Sequence, residues 1–151
     1  CVSEGAGFHP LQSPLYNLVL VLYSMPIFAI AALRMDLPMS TPEDVRTAAL
    51  ALPEAEEHPH WDRPSFRVRG KIFATLREDE NRAVLKLPLA EQSALTALQP
   101  AVFSIAPWGH QGWTFVELPS LTPDELQSLI ASAWGKVAPK RVVAAFFSSS
   151  K

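Results

Sequence analysis

Apolar and polar positions recur along this chain with two periods, and each period predicts a different element. Val45, Ala48, Ala49 and Leu52 stand at i, i+3, i+4 and i+7, the spacing of one buried helix stripe. Thr41 precedes them as a cap and Pro42 suits the first helical position. Glu43 and Asp44 sit at the positive helix end, and Pro53 stops the run. A second start at Thr122-Pro123-Asp124-Glu125 places Glu125 for a capping box. Leu126, Leu129, Ile130, Ala133, Trp134 and Val137 follow as a broad apolar face that ends at Pro139. Ala90 to Leu98, bounded by Pro88 and Pro100, predicts a shorter helix.

Period-two alternation marks the strands. Phe66 to Arg69 alternates, Gly70 permits the positive φ of a tight turn, and Lys71 to Leu76 returns. Arg82 to Leu87 follows across the polar turn Glu78-Asp79-Glu80-Asn81; Ala101 to Ile105 and Trp113 to Leu118 complete the set. The register that best sorts side chains pairs Val68 with Ile72 and Phe73 with Val84. It gathers Phe66, Val68, Ile72, Ala74, Leu76, Ala83, Leu85 and Leu87 on one face. Arg67, Arg69, Lys71, Phe73, Thr75, Arg77, Arg82, Val84 and Lys86 lie on the other. The predicted fold class is α+β: a two-layer α/β sandwich with an antiparallel sheet, helices on one face, and the order α-β-β-β-α-β-β-α.

Composition narrows the chemistry. Thirteen Lys and Arg stand against 15 Asp and Glu in 151 residues, so no global basic field exists and any nucleic-acid contact must be local. The single cysteine, Cys1, excludes an intrachain disulfide and a cysteine-based zinc site. Leu15 to Leu33 holds no charge over 19 residues, a length that fits a membrane anchor, a signal peptide or translated upstream sequence ahead of Met35 or Met39. No Lys or Arg precedes the run, and it is broken by Asn17, Ser24 and Pro26. The expectation is an extension over residues 1–38 outside the fold, a domain over 39–141, a tail over 142–151 and a cytoplasmic location.

Catalytic signals are thin. No serine stands in a Gly-x-Ser-x-Gly elbow, and the loop Trp108 to Trp113 lacks the Gly-Lys-Ser/Thr ending of a phosphate cradle. His58 and His60 alternate as two metal ligands could, although polar loop residues look the same. Trp61, Trp113 and Trp134 read as core or rim packing. No enzyme activity, cofactor or metal is expected.

Leu52-Pro53, Glu56-Glu57 and the run Trp61-Asp62-Arg63-Pro64-Ser65-Phe66-Arg67-Val68-Arg69-Gly70-Lys71-Ile72-Phe73-Ala74 resemble the MmcQ/YjbR family. Lys86, Gly112-Trp113 and Ala138-Pro139-Lys140-Arg141 fit the same pattern, so the likeness spans roughly residues 39–141. The resemblance implies a compact two-layer domain of the secretion-chaperone or CyaY-like kind, from small bacterial proteins labelled DNA-binding. The expected function is weak, largely sequence-independent DNA binding by the basic sheet face. Arg67, Arg69, Lys71, Arg82 and Lys86 would meet phosphates, Phe73 would stack, and Lys140 and Arg141 would add contacts if that end folds back. The alternative is a protein-interaction or chaperone-like module, or a homodimer, using the same open face or Trp108 and Trp113. Such a face is also what a merely solvated sheet surface looks like.

Overall fold

The computed structural model of the protein describes residues 38–149; the uncharged run Leu15–Leu33 and the expectations attached to it lie outside the described residues. Helix α1 (Pro42–Leu50) begins with a capping box. The Thr41 side chain accepts from the Asp44 N–H, and the Asp44 carboxylate accepts from the Thr41 N–H at 2.8 Å. Four strands follow: β1 (Ala55–His60), β2 (Arg63–Val68), β3 (Lys71–Arg77) and β4 (Arg82–Lys86). Then come α2 (Leu89–Leu98), β5 (Phe103–Ile105), β6 (Trp113–Glu117), α3 (Pro123–Val137) and α4 (Lys140–Ser149). The strands form one antiparallel sheet in the order β1-β2-β3-β4-β6-β5. The α+β class and the element order read from the sequence are present, with β1 added ahead of the strands and α4 added after the last helix. No helix among the described residues is long and apolar enough to cross a membrane.

The helices cover one sheet face. Val45, Ala49 and Leu52 from the α1 end meet Leu126, Ile130, Ala133 and Trp134 of α3. Beneath them lie Phe66, Val68, Ala74, Leu76, Ala83, Leu85 and Leu87 of the sheet, all buried. Trp134 is fully enclosed, and its indole N–H donates to the Pro53 carbonyl at 2.9 Å. That places Trp134 in the core, as its position in the α3 stripe predicts. The segment expected as a tail is α4: Val142, Val143 and Phe146 pack on the core, and Phe146 meets Trp134 edge-on at 5.1 Å. Removing the cap of α3 with Thr122→Ala is expected to cost about 1 kcal/mol. It removes the acceptor of the 3.2 Å bond from the Glu125 N–H, while the backbone N–H at 122 keeps its 3.0 Å bond to the Glu125 carboxylate. A lower denaturation midpoint with an unchanged slope is the expected readout.

The register departs from expectation in two hairpins, and the first departure has consequences for the site. Arg69 and Gly70 form a two-residue turn, both with positive φ (51° and 83°), as tight hairpins require. This pairs Val68 with Lys71 and Arg67 with Ile72, one residue away from the expected register. Continued unbroken, that pairing would turn Ala74 and Leu76 outward. A β-bulge opposite Phe66 and Arg67 absorbs the extra residue at Phe73, so Ser65 pairs with Thr75 and Phe66 with Ala74. Phe73 and Ala74 therefore both enter the core, and Ile72 moves to the open face. In the next hairpin Thr75, in place of Phe73, faces Val84, a two-residue shift that leaves the faces unchanged.

Candidate binding groove on the open sheet face

Opposite the helices the sheet carries a groove of about 590 Å³. Its floor is built from Ile72 and Thr75 of β3, Val84 of β4, and Trp113 and Phe115 of β6. One wall is the β1–β2 turn with His60, Trp61, Asp62 and Arg63; the other is Ala106-Pro107-Trp108, between β5 and β6. Trp61 is 90% exposed and Trp108 63% exposed, so two indoles project from opposite walls.

The second wall is fixed from behind. Gln92 of α2 is buried and donates to the Trp113 carbonyl at 3.0 Å and to Thr114 Oγ1 at 3.1 Å; Thr114 in turn donates to the Gly112 carbonyl at 2.9 Å. Gly112 has φ of 98°, and a Cβ there would overlap the Leu87 carbonyl oxygen. Only glycine lets the loop pass this close to β4.

Cations border the groove, but carboxylates meet most of them. Arg63 reaches Asp79 at 3.1 Å, Arg77 reaches Glu80 at 3.5 Å, and Arg82 reaches Glu117 at 2.7 Å. The Arg77 and Arg82 guanidinium groups lie 4.9 and 5.0 Å from the centre of the Phe115 ring. Lys86 lies 5.7 Å from the Trp113 ring and has no carboxylate partner among the described residues. Half-exposed pairs of this kind contribute little individually to stability, yet they cancel much of the field a phosphate would feel.

The residues expected to bind phosphate divide accordingly. Arg82 and Lys86 stand on the open face beside the groove. Arg67 is also on that face, but its guanidinium donates to Ser65 Oγ at 3.1 Å and to the Pro59 carbonyl at 3.4 Å, tying β2 to β1. Arg69 sits in the hairpin turn and holds Glu54 at 2.8 Å. That hydrogen bond keeps the Glu54 carboxyl below its ordinary pKa, with a smaller contribution from the charge of Arg141. Lys71 is exposed at the same sheet end, on the Val68 side of the register. Phe73 is not on the open face at all: the bulge buries it completely. Lys140 and Arg141 open α4, which packs on the helix layer and does not fold back to the groove.

His58 and Glu56 meet at 3.0 Å on the exposed edge strand β1. Among the described residues no group of three His, Cys, Asp or Glu is placed to hold a metal. On the helix side, Arg46 bridges Glu43, Glu57 and Glu78; these bonds, the Glu78 one first, raise its pKa further above the ordinary arginine value. It joins α1 to β1 and to the turn after β3.

Trp61 was readable only as core or rim packing, and Trp108 only as a possible docking residue; Trp61 is not in the core. Their opposition across one groove depends on which loops rise over the sheet, which local spacing does not encode. Trp61 carries a further mark: its φ is 59°, a left-handed conformation that costs a bulky residue on the order of 1 kcal/mol.

Comparison with known proteins agrees with this architecture. No curated protein matches the chain. A Deinococcus radiodurans protein with a DUF419 domain has a crystal structure that superposes with a TM-score of 0.58 at 20% identity, covering 64% of this chain and 78% of that one. The likeness extends to the fold alone. The family model for YjbR matches residues 50–136, from the last turn of α1 through nearly all of α3, and the chain belongs to the YjbR family.

Proposed function

We propose that the protein binds single-stranded nucleic acid along the open-face groove. The observation that carries this reading is four rings, Trp61, Trp108, Trp113 and Phe115, interleaved with Arg63 and Arg77 in one concavity, with Lys86 beside it over the Trp113 ring. Unpaired bases present flat faces to such rings, and each stack is worth about 1–3 kcal/mol. A duplex hides those faces, so the groove favours single strands over duplex DNA. Phosphate contact is limited, because the groove arginines are paired with carboxylates. Lys86 and Arg67 are the open-face cations without a carboxylate partner among the described residues.

The test is fluorescence anisotropy with a labelled oligonucleotide, single-stranded and duplex, across a salt series. The expected slope of log K against log salt is shallow, roughly −1 to −2, and the single strand binds more tightly. Trp108→Ala is expected to weaken single-strand binding about tenfold. The pairing of the arginines also favours a second reading, apolar docking of a protein partner on the same face. Absence of oligonucleotide binding at about 50 mM salt overturns the nucleic-acid reading and leaves that second one.

A further inference from the structure

Among the described residues, four non-glycine residues hold positive φ: Glu54, Trp61, Arg69 and Asn81. Asn81 is of a type that tolerates this conformation, and Glu54 and Arg69 are tied to each other by their 2.8 Å ion pair. Trp61 has no such compensation. Its indole makes no hydrogen bond among the described residues; its ring meets only His60, edge-on at 6.3 Å, and stands 90% exposed. Folding gains little from an exposed ring, and a left-handed backbone at this turn suits glycine or asparagine better. The residue is therefore unfavourable both for the turn and for the surface. It does one thing well: it raises a flat apolar plate from the β1–β2 wall, facing the groove that Trp108 borders from the other wall.

We propose that Trp61 is a ligand-clamping residue, held in a glycine-type conformation at the expense of fold stability so that its ring closes on a base in the groove. The assignment rests on the nucleic-acid reading for the identity of the ligand. The backbone conformation and exposure of Trp61 supply the rest.

Three variants of the full chain separate the ring from the backbone. Trp61→Asn and Trp61→Val both remove the ring, but asparagine accepts the left-handed conformation whereas β-branched valine resists it. Trp61→Phe keeps an aromatic plate. The expected result is that Trp61→Asn melts at or above the wild-type temperature and Trp61→Val melts below it. Both should bind a labelled single-stranded oligonucleotide at least tenfold more weakly, with Trp61→Phe within about threefold of wild type. Equal melting of the Asn and Val variants, or destabilisation by asparagine, overturns the claim of stored strain. Wild-type affinity in the Asn and Val variants overturns the clamp while leaving the nucleic-acid reading standing. Failure of the wild-type protein to bind any oligonucleotide overturns that reading instead, and the clamp with it.

Discussion

Leu85→Asp is expected to abolish cooperative thermal unfolding, whereas Val84→Asp leaves a folded protein with a lower melting temperature. The two residues are neighbours on β4 and differ in the face they present. Leu85 is completely enclosed beneath the helices. An aspartate there is either buried as an unpaired charge or kept protonated, and each alternative costs several kcal/mol. That is a large share of the roughly 5–15 kcal/mol that stabilises a typical domain. Val84 is 8% exposed but lies in the groove, with Arg77 among the other lining residues. A carboxylate at 84 can reach water and a cation. Circular dichroism melting curves of both variants decide the matter; equal damage would show that the two sheet faces are equally closed.

The second large effect is expected at Trp134. Trp134→Ala removes the largest enclosed side chain, its hydrogen bond to Pro53 and the surface on which Phe146 rests. Large-to-small changes at such positions cost about 3–5 kcal/mol. Because α4 docks through Phe146, protease cleavage within α4 should accelerate in the same variant. Trp134→Phe, which restores most of the ring but not the donor, should recover the larger part of the loss. A denaturation midpoint unchanged in Trp134→Ala would contradict the packing described for α3 and α4.

The helices were legible because their signals are local. Thr41 and Thr122 cap α1 and α3, and every residue of the α3 stripe from Leu126 to Trp134 is buried as its spacing predicts. The core strands were legible by alternation, and Leu85 with Leu87 shows why: one face is buried and the pattern has period two. At Phe73 the alternation misleads. A tight turn sets the register at one end of the hairpin and Leu76 sets it at the other, and the bulge that reconciles them leaves no trace in composition. β1 was hidden for another reason. Glu56, Glu57, His58 and His60 are polar on both sides of an edge strand, with Glu57 engaged by Arg46 of α1, so they read as loop. In α4, Val142, Val143 and Phe146 follow Pro139 at helical spacing, but the shortness of the segment and its terminal serines mask the stripe. The groove itself was half legible. Arg82 and Lys86 follow from alternation, while the pairing of arginines with Asp79, Glu80 and Glu117 requires the turn after β3 to curl beside the sheet.

Pro59 lies in β1 opposite Pro64. The two-residue turn of Trp61 and Asp62 makes His60 and Arg63 the hydrogen-bonded closing pair, so position 59 directs its backbone nitrogen away from β2, toward the outer edge of the sheet. Any other residue would offer a donor there to an incoming strand, and proline offers none. The β1 edge is thus poorly suited to templating, with exposed Glu56 and His58 adding further obstacles to a seventh strand. Self-association by edge-to-edge growth on this side is disfavoured, which keeps the turn bearing Trp61 from being buried in an aggregate.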